Sequence, residues 1–421
     1  MKLKSVWGLS VAAVSIGAML SCSSSNPGGA TGTGFIWIAT EGDQQVRAFN
    51  INLSNGSIGQ VGNSQPTGVS PVAMALSPDG TALFVANSSD GSITSYSVGS
   101  DGSLGAGHTT NTATSCTLPP PPCPGAPPPP TCGALPVSLA IDPAGKFLFV
   151  AAQGTFDQCD PTAGNSSSGG ISTYAISGSN LTFNSAVQTE APTDLTGTGP
   201  SAVRTSPTGN FLYVANQFSN TIQAFSYDAS NGALLPLNTY ASGSNPSDLA
   251  FSRCAGTTQG TASCPAADGN NLFVTNSGSN NVSIFTACIQ PSTTCGAQGA
   301  APDGSLVQLS TSPVAAGNSP VAIFVHPLLG FVYAVNSKSN NVTQYRYGSA
   351  TGALTTLTPA SVNAGANPLG GGVTSDGSYV FISNNNGSTM SVFSVGPGGK
   401  LAPATASTVT LAGQPAAILV R

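Results

Sequence analysis

The strongest constraint on this chain is a repeated sequence unit, best formed in residues 199–234, which read GPSAVRTSPTGNFLYVANQFSNTIQAFSYDASNGAL. Within it, short apolar runs are separated by turn-forming residues, first Pro207 to Gly209 and then Ser219 with Asn220. This pattern predicts three successive β-strands joined by tight turns. Because self-similarity at a fixed period is typical of repeat folds, the unit predicts a repeat architecture before any single residue is interpreted.

Each copy of the unit opens with a proline, and seven such prolines occur: Pro71, Pro136, Pro200, Pro246, Pro320, Pro368 and Pro415. Where no insertion intervenes they lie 46 to 48 residues apart, close to the blade length of about 40 to 50 residues in β-propellers. The second run of a unit, such as Phe211 to Ala215, is apolar at consecutive positions, which predicts a strand buried on both faces, as between packed blades. We therefore predict an all-β, seven-bladed β-propeller of four-stranded antiparallel blades.

The two ends of the chain complement each other. Pro415 is followed by one apolar run, Ala416 to Val420, whereas the N-terminal region supplies three, at Phe35 to Ala39, Val46 to Ile51 and after Ile58. We predict that these strands form one shared blade, which closes the ring and removes exposed strand edges. The propeller would then span residues 35–421, with insertions at about 105–135, 154–170, 253–270 and 286–303.

Composition agrees with a turn-rich globular β-protein. Gly and Pro number 51 and 32, apolar residues make up 40% and charged residues only 6%. A sequence pI near 4.7 and few Lys and Arg argue against a nucleic-acid partner, because phosphate backbones are bound by dense basic surfaces. We predict a monomer without a cofactor and without a nucleic-acid partner.

Residues 1–22 are predicted to be a signal peptide. Lys2 and Lys4 precede an apolar run that ends near Leu20 and is too short to span a bilayer comfortably. The stretch Met19-Leu20-Ser21-Cys22 resembles a bacterial lipobox, in which Cys22 would become the lipidated first residue. The alternative is a plain secreted protein cut near Cys22.

Residues 23–34 are rich in Ser, Gly and Thr and are predicted to form a flexible tether. Loss of Lys2 and Lys4 would change the formal net charge from −5 to about −7, which gives no attraction to anionic lipid. Membrane attachment would therefore use the lipid alone. We predict a bacterial cell-envelope protein, either lipid-anchored or periplasmic or extracellular.

The eight cysteines other than Cys22 lie in the predicted insertions and form two clusters: Cys116, Cys123, Cys132 and Cys159, and then Cys254, Cys264, Cys288 and Cys295. An even number in an exported chain predicts disulfides, and blade topology assigns the clusters to opposite faces. We predict two bridges within each cluster. The favoured pairs are Cys254 with Cys264 and Cys288 with Cys295, each contributing about 3 kcal/mol. Zinc is the weaker alternative, since neither cluster has CxxC spacing or paired histidines; we predict no metal.

Residues suited to catalysis are few. His108 and His326 are the only histidines, and both are predicted to be structural or solvated; no GxSxG, HExxH or P-loop motif occurs. The inner strands carry mostly small residues, a pattern that Arg204 and Asp248 break on neighbouring blades. They would form either a structural ion pair or an anchor for a carboxylate or sugar ligand.

The FVAN, YVAN, FVTN and YAVN strands, the PDG turns, the SNNV and SNTI turns and the TGAL and DGSL ends resemble the seven-bladed lactonase family. This family includes 6-phosphogluconolactonase-like and cycloisomerase propellers and overlaps the YVTN-repeat group, and the likeness covers residues 35–421. The resemblance implies lactone hydrolysis and the motifs PHxH, GPRH and NEL. In their places the chain has Pro136-Val137-Ser138-Leu139, Gly199-Pro200-Ser201-Ala202 and Asn216-Gln217-Phe218.

The chain therefore lacks the imidazoles, the arginine and the glutamate of those motifs. Acid and base groups of this kind contribute about 10²- to 10⁴-fold to the rate of an enzymatic reaction. We therefore predict an exported lipoprotein that binds or scaffolds a glycan, a peptide or an envelope protein. The alternative is a lactone hydrolase or cycloisomerase, for which Arg204, Asp248 and Gln217 are the only candidate catalytic groups. The sequence leaves open whether the protein is an enzyme.

Overall fold

The structure, a computed structural model, describes residues 33–112, 114–115, 131–132, 135–153, 169–188, 199–252, 270–290, 301–348 and 351–421. These residues form seven antiparallel sheets, which we number blades 1 to 7 in chain order. Blade 5 has a fifth short strand, and the other six blades have four strands. The strands of a blade are called inner, second, third and outer, from the propeller axis outward.

The inner strands of blades 1 to 7 are Pro415–Val420, Pro71–Leu76, Leu135–Ile141, Pro200–Thr205, Pro246–Phe251, Pro320–Val325 and Pro368–Val373. The second strands are Thr33–Thr40, Ala82–Asn87, Phe147–Gln153, Phe211–Asn216, Asn271–Asn276, Phe331–Asn336 and Tyr379–Asn384. The third strands are Gln45–Asn52, Ser92–Ser97, Gly170–Ser177, Thr221–Tyr227, Asn281–Ala287, Asn341–Tyr347 and Thr389–Val395.

The outer strands are Ile58–Pro66, His108–Asn111, Asn180–Gln188, Leu234–Ala241, Leu306–Gln308 with Val314–Ala315, Leu354–Asn363 and Leu401–Thr410. A small hairpin, Thr114–Ser115 with Thr131–Cys132, precedes blade 3. One 3₁₀ turn, Pro397–Gly399, is the single helical element of the described residues. Among these residues, no helix is long and apolar enough to cross a membrane.

The ring closes as predicted. Each inner strand contacts the inner strands of the two neighbouring blades, from blade 1 through blade 7 and back to blade 1. In blade 1 the C-terminal strand pairs antiparallel with Thr33–Thr40, with Trp37 opposite Leu419. The chain continues the ladder at Arg421, whose backbone exchanges hydrogen bonds of 2.8 and 2.9 Å with Phe35. One blade is therefore built from both ends of the chain.

The apolar core lies between adjacent blades. Every residue of the second strands of blades 2, 4, 5, 6 and 7 is buried, which confirms that these strands have two covered faces. Between blades 4 and 5, for example, the rings of Tyr213 and Phe251 meet edge to face with centroids 5.6 Å apart, a favourable aromatic geometry. Blade packing, repeated around the ring, supplies the hydrophobic stabilisation.

A buried asparagine ends the second strand of five blades and accounts for the final letter of the repeated FVAN-type strands: Asn87, Asn216, Asn276, Asn336 and Asn384. In blade 5 the Nδ2 of Asn276 donates to Asn281 Oδ1 at 2.8 Å and to Ser283 Oγ at 2.9 Å. Its Oδ1 accepts from Ser242 at 2.7 Å. The side chain thus joins two strands of its own blade to the connection that leads into it.

Replacing Asn276 with Ala should lower the free energy of unfolding by about 2 kcal/mol, because buried hydrogen-bond partners are left unsatisfied. Chemical denaturation followed by tryptophan or tyrosine fluorescence measures the change. Asn386→Ala is the control, since Asn386 is exposed in a turn. Equal stability of the two variants would contradict a structural role for the repeated asparagine.

A second asparagine links neighbouring blades at the turn between the second and third strands. Asn220, Asn280 and Asn340 adopt positive φ angles of 59°, 55° and 53°, which asparagine tolerates better than most residues. Their side-chain oxygens accept the N–H of the residue that precedes the next opening proline, at 2.7 to 2.8 Å. We call this end of the propeller, where inner strands begin, the proline face; the other end is the opposite face.

The predicted Asp-Gly turns lie on the opposite face and have a local, structural role. Asp376 accepts hydrogen bonds from Thr374 Oγ1 at 2.6 Å and from the N–H and Oγ of Ser378 at 3.0 and 2.6 Å. Gly377 follows with a φ of 77°. Burial alone would raise the pKa of Asp376, but the hydrogen bonds from Ser378 and Thr374 outweigh it and hold the pKa below its ordinary value of 3.8.

This lowered pKa predicts an acid-sensitive turn. The carboxylate stabilises the fold at pH values above about 4, and that contribution is lost as the pH falls through the lowered pKa of the folded state. Asp376→Asn should therefore lower the melting temperature at pH 7, and its difference from the parent should shrink towards pH 3. Thermal melts between pH 2.5 and 7 measure this. A difference that grows towards low pH would contradict the assignment.

Candidate functional site

All seven inner strands contain a bulge directly after the opening proline. The register with the second strand shifts between that proline and the residue two positions later, so the intervening residue is unpaired in the ladder. In blades 4 and 5 this residue is serine. Ser201 Oγ donates to the carbonyl of Pro246 at 2.6 Å, and Ser247 Oγ donates to that of Pro320 at 2.7 Å. The bulge therefore directs a hydroxyl towards the next blade.

Further along the same two strands, the two charged residues predicted from the sequence meet each other: Arg204 lies three positions after Ser201, and Asp248 directly follows Ser247. Nη2 of Arg204 lies 2.7 Å from Oδ1 of Asp248, and their side chains are 6% and 0% exposed. Within the described residues this is a buried, direct ion pair between the inner strands of blades 4 and 5. The geometry matches the structural ion pair, one of the two interpretations open at the sequence level.

The pair belongs to a longer network, which we call the inner-strand polar cluster, formed by Ser138, Arg204, Asp248 and the N–H of Ile323. Ser138 Oγ in blade 3 accepts from Val203 N–H at 3.1 Å and from Arg204 Nη1 at 3.5 Å. Oδ2 of Asp248 accepts from Ile323 N–H in blade 6 at 3.0 Å. The cluster therefore connects four consecutive inner strands.

Asp248 is held by donors on both carboxylate oxygens, since Oδ1 also accepts from Leu249 N–H at 2.8 Å. Arg204 Nη1 in turn donates to the carbonyl of Val203 at 2.8 Å. A carboxylate engaged in this way is better suited to positioning the guanidinium than to transferring a proton. The cluster can present a fixed positive group near the axis, with its charge balanced by Asp248.

Gln217 lies on the proline face, in the turn after the second strand of blade 4. Its N–H donates to the carbonyl of Gly199 at 2.9 Å, and its side chain is half-buried. The neighbouring Phe218 is 49% exposed, and its ring lies over Gly199, where a Cβ would approach a ring carbon to 2.2 Å. Gln153 of blade 3 donates to the carbonyl of Pro200 at 3.0 Å. Two amides and an aromatic ring thus surround the start of this inner strand.

Neither histidine is near this region. His108 begins the outer strand of blade 2 and is exposed. His326 is 2% exposed; its Nδ1 accepts from the N–H groups of Leu328 and Leu329 at 3.1 and 3.0 Å, and its Nε2 lies 3.1 Å from the carbonyl of Gly377. Both therefore occupy the places predicted for them, one solvated and the other structural, in a turn of the opposite face.

Most of the cysteines, including the predicted lipidation site Cys22, fall outside the part of the chain that the structure describes. Cys22, Cys116, Cys123, Cys159, Cys254, Cys264 and Cys295 lie outside the described residues, as do the signal peptide and most of the predicted insertions. Cys132 is described only as part of the small hairpin. Cys288 is completely buried after the third strand of blade 5. The disulfide pairings stay predictions. Among the described residues, no three His, Cys, Asp or Glu side chains come together as a metal site.

A family model described as Lactonase, 7-bladed beta-propeller, matches residues 30–121, 165–294 and 298–417, most of the chain. The chain belongs to this family. No curated protein matches it.

Solved structures with the same fold cover nearly the whole of this lactonase-family chain. A protein from Bacteroides fragilis, provisionally described as a 6-phosphogluconolactonase, has 17% identity and a TM-score of 0.69, with 94% of this chain and 100% of that chain covered. The periplasmic gluconolactonase of Pseudomonas aeruginosa has 17% identity and a TM-score of 0.66, with 92% and 99% covered. A protein from Lactobacillus plantarum has 16% identity and a TM-score of 0.67, with 93% and 100% covered. At these identities the likeness establishes the fold.

The lactonase-family motif positions are occupied here by residues with structural contacts. Val137 and Leu139 stand in the places of the two PHxH histidines. Ser138, between them, accepts the hydrogen bonds described above, and Ser201, in the place of the motif arginine, binds the next blade. Ala202 is completely buried. Sequence reasoning missed Ser247 and Thr275, whose hydroxyls bond to each other at 2.9 Å beside Asp248. The serine that follows the opening proline in both blades 4 and 5 is the signal that could have revealed them.

A second ion pair of the lactonase-family chain was also missed. In blade 1, Arg47 pairs with Asp43 at the proline face, and Arg47 Nη1 donates to Thr40 Oγ1 at 2.6 Å. Burial would raise the pKa of Asp43, but hydrogen bonds from Arg47 and Thr40 and the charge of Arg47 outweigh it and lower that pKa. Thr40 stands where five other blades have the buried asparagine. The sequence repeat does not predict this ion pair, because blade 1 lacks the asparagine of the FVAN-type motif at that position.

Proposed function

We propose that this protein is a lactone hydrolase. The observation that carries the proposal is the family match, whose three segments include strands from all seven blades. The neighbours from Bacteroides and Pseudomonas, described as a 6-phosphogluconolactonase and a gluconolactonase, support the same activity class. These comparisons favour the alternative raised from the sequence over the binding or scaffolding role that was predicted first.

Lactone hydrolysis requires a group that stabilises the oxyanion formed when water adds to the carbonyl carbon. The ring C–O bond then breaks, and the products at neutral pH are a hydroxy carboxylate and a proton. We assign the stabilising role to Arg204, the cation of the inner-strand polar cluster, with Asp248 as the residue that positions it. Gln217 can orient a water molecule through its amide, but it cannot take up the proton, which would leave to solvent.

A second candidate function is ligand binding without turnover. The observation that favours it is that Arg204 and Asp248 neutralise each other in a buried pair. In addition, Ser201, Ala202 and Gln217 supply no acid or base at the positions where the family motifs carry them. In this case the proline face would bind a glycan, a peptide or an envelope protein.

A panel of γ- and δ-lactones, followed by proton release in a weakly buffered solution, separates the two functions. The enzyme proposal expects turnover by the parent and a loss of at least about 10²-fold in Arg204→Gln, the size typical of removing one oxyanion donor. Lys338→Gln is the control, because it removes an exposed cation that lies outside the inner-strand polar cluster. A folded parent that hydrolyses none of the lactones, or equal activity of the Arg204→Gln variant, would overturn the proposal.

We also propose that the protein is exported to the bacterial cell envelope as a monomer, is anchored through a lipid on Cys22 and carries the disulfides predicted above. The apolar run and Cys22 of the leader support this proposal. In cells fed a radiolabelled fatty acid, the parent should be labelled and recovered with membranes. Cys22→Ser should lose the label, whereas Ser24→Ala should keep it. A labelled Cys22→Ser variant, or an unlabelled parent, would exclude the lipoprotein assignment.

A further inference from the structure

The chain contains three Asn-Gly pairs, each with an exposed asparagine in a turn: Asn55-Gly56, Asn231-Gly232 and Asn386-Gly387. Asparagine is chemically labile, because the backbone nitrogen of the next residue can attack the carbon of its side-chain amide. Glycine favours the attack, since it has no Cβ to hinder the approach. The local sequences are nearly the same, SNGS, SNGA and NNGS, so differences between the pairs in the native protein must come from the fold.

In the first two pairs, the nitrogen that would attack is engaged in a backbone hydrogen bond. The N–H of Gly56 donates to the carbonyl of Asn52 at 2.8 Å, and the N–H of Gly232 donates to that of Asp228 at 2.7 Å. The attacking nitrogen has to lose this proton, so each hydrogen bond must open before the reaction can start. Both pairs are therefore protected on the side of the glycine.

The asparagine side chains of the same two pairs are also restrained. Oδ1 of Asn55 accepts from the N–H of Ser57 at 2.9 Å, and Oδ1 of Asn231 accepts from the N–H of Ala233, also at 2.9 Å. These bonds form Asx turns, in which the side chain is held to the residue beyond the glycine. The amide carbon is therefore not able to turn freely towards the attacking nitrogen.

Packing adds a third restraint on these two pairs. Gly56 and Gly232 are buried at positive φ angles of 73° and 69°. Each glycine lies under an aromatic ring of the preceding blade: a Cβ would approach a ring carbon of Tyr379 to 2.5 Å at Gly56, and one of Phe147 to 2.7 Å at Gly232. The backbone of both turns is thus fixed against the movement that ring closure requires.

The third pair, in the turn between the second and third strands of blade 7, has none of these restraints. Gly387 is exposed, and within the described part of the chain its N–H has no hydrogen-bond acceptor. Oδ1 of Asn386 accepts one exposed hydrogen bond, from Asn367 Nδ2, at the long distance of 3.4 Å. A Cβ on Gly387 would meet no aromatic ring; its nearest neighbour would be Thr389 Oγ1 at 3.1 Å.

We propose that Asn386 is a site of spontaneous deamidation. The backbone nitrogen of Gly387 loses its proton and bonds to Cγ of Asn386, the Cγ–Nδ2 bond breaks, and the amide nitrogen leaves as ammonia with that proton. One water molecule then opens the cyclic imide at either of its two carbonyl carbons. One opening gives aspartate, and the other gives isoaspartate, whose backbone runs through the side-chain carbon. The reaction requires no oxidant, cofactor or enzyme.

The modification changes the proline face where blade 7 meets the closing strand of blade 1. Asn385, which precedes the site, donates from its N–H to the carbonyl of Asn367 at 3.0 Å and from Nδ2 to that of Pro415 at 3.3 Å. Both products carry a negative charge that asparagine lacks, and isoaspartate also lengthens the backbone of the turn by one atom. The altered turn thus adjoins the first residues of two inner strands.

Peptide mapping of aged protein tests the inference, because trypsin places the three pairs on different peptides, residues 48–146, 205–253 and 347–400. The purified parent is incubated in mildly alkaline buffer, and tandem mass spectrometry follows the conversion of each asparagine. We expect Asn386 to react at least about 10-fold faster than Asn55 or Asn231, the ratio that corresponds to about 1.4 kcal/mol of protection. Equal rates at the three sites, or a faster reaction at Asn55 or Asn231, would overturn the inference.

The same incubation in urea separates the effect of the fold from that of the local sequence. When the chain is unfolded, the hydrogen bonds and ring contacts are lost, and the three asparagines should react at similar rates. If Asn386 keeps its full advantage in urea, the difference arises from Asn385 in place of a serine, and the structural assignment fails.

Two glutamine variants test the site in the intact protein, since glutamine has a longer side chain and closes the corresponding ring far more slowly. Isoelectric focusing of the aged parent should show a growing acidic form, which Asn386→Gln should slow by at least about 10-fold. Asn231→Gln is the matched control, because it changes an exposed asparagine of a protected pair, and it should age like the parent. An acidic form that grows at the parent's rate in a folded Asn386→Gln variant would exclude Asn386 as the site.

Discussion

Ending the chain at Gly413, which removes the last eight residues, should abolish folding of the propeller. The lost segment contains the inner strand of blade 1, Pro415–Val420, all of which is buried. Ala417 and Leu419 pack in the core shared with blade 2, whereas Ile418 and Val420 pack in the core shared with blade 7. A single strand therefore fills two interfaces and also provides the ladder partner of Thr33–Thr40.

The expected loss is as large as the stability of the protein. Burial of each Leu, Ile or Val contributes about 1.5 to 3 kcal/mol, and the unpaired edge of Thr33–Thr40 adds the loss of a hydrogen-bonded ladder. Typical domains are stable by about 5 to 15 kcal/mol in total. The truncated chain should therefore be aggregated or lack a cooperative unfolding transition.

Size-exclusion chromatography and near-ultraviolet circular dichroism measure this outcome. Leu419→Ala is a milder form of the same test, with an expected loss of about 2 to 5 kcal/mol. Leu235→Ala is its control, because Leu235 is 63% exposed on the outer strand of blade 4. A monomeric truncated protein with an unfolding midpoint equal to that of the parent would show that the ring does not depend on its closing strand.

Much of the fold could be predicted because the repeat fixes both the number and the order of strands. Six of the seven inner strands begin at the predicted proline, and that of blade 3 begins one residue earlier, at Leu135. The outer strands were less predictable. In blade 2 the apolar Leu104 forms only an isolated bridge with Val98, and the outer strand begins four residues later, at His108. Outer strands are largely exposed, so apolar periodicity marks them weakly.

The candidate site could be predicted only in part. Arg204, four positions after its opening proline, and Asp248, two positions after its own, stand out because they are charged residues among the small residues of neighbouring inner strands. The partner of Asp248 in blade 6 is the backbone N–H of Ile323. The sequence does not identify which backbone N–H groups act as donors to a side chain. The contacts of Ser201 and Ser247 depend on the bulge after each opening proline. Such a local register shift cannot be predicted before the pairing of the inner and second strands is known.

The largest single-residue effect is expected at the ion pair itself. Asp248→Ala should lower the free energy of unfolding by about 3 to 5 kcal/mol, because it leaves the buried guanidinium of Arg204 without its counter-charge. It also removes the acceptor for Ile323 N–H. Equilibrium denaturation in urea measures the change, and Glu41→Ala, which removes a half-buried carboxylate in a turn of the proline face, is the control.

The double variant Arg204→Met with Asp248→Leu distinguishes a structural pair from a catalytic one. Replacing both charges with apolar groups of similar size often restores the stability that a single removal destroys. We therefore expect the free energy of unfolding of the double variant to lie within about 2 kcal/mol of that of the parent and well above that of Asp248→Ala. If the pair only holds the blades together, the double variant should hydrolyse lactones at the rate of the parent. If Arg204 stabilises the oxyanion, the double variant should be folded but inactive. A double variant as unstable as Asp248→Ala would mean that the cost arises from lost packing and backbone contacts, which would refute the argument from the unpaired charge.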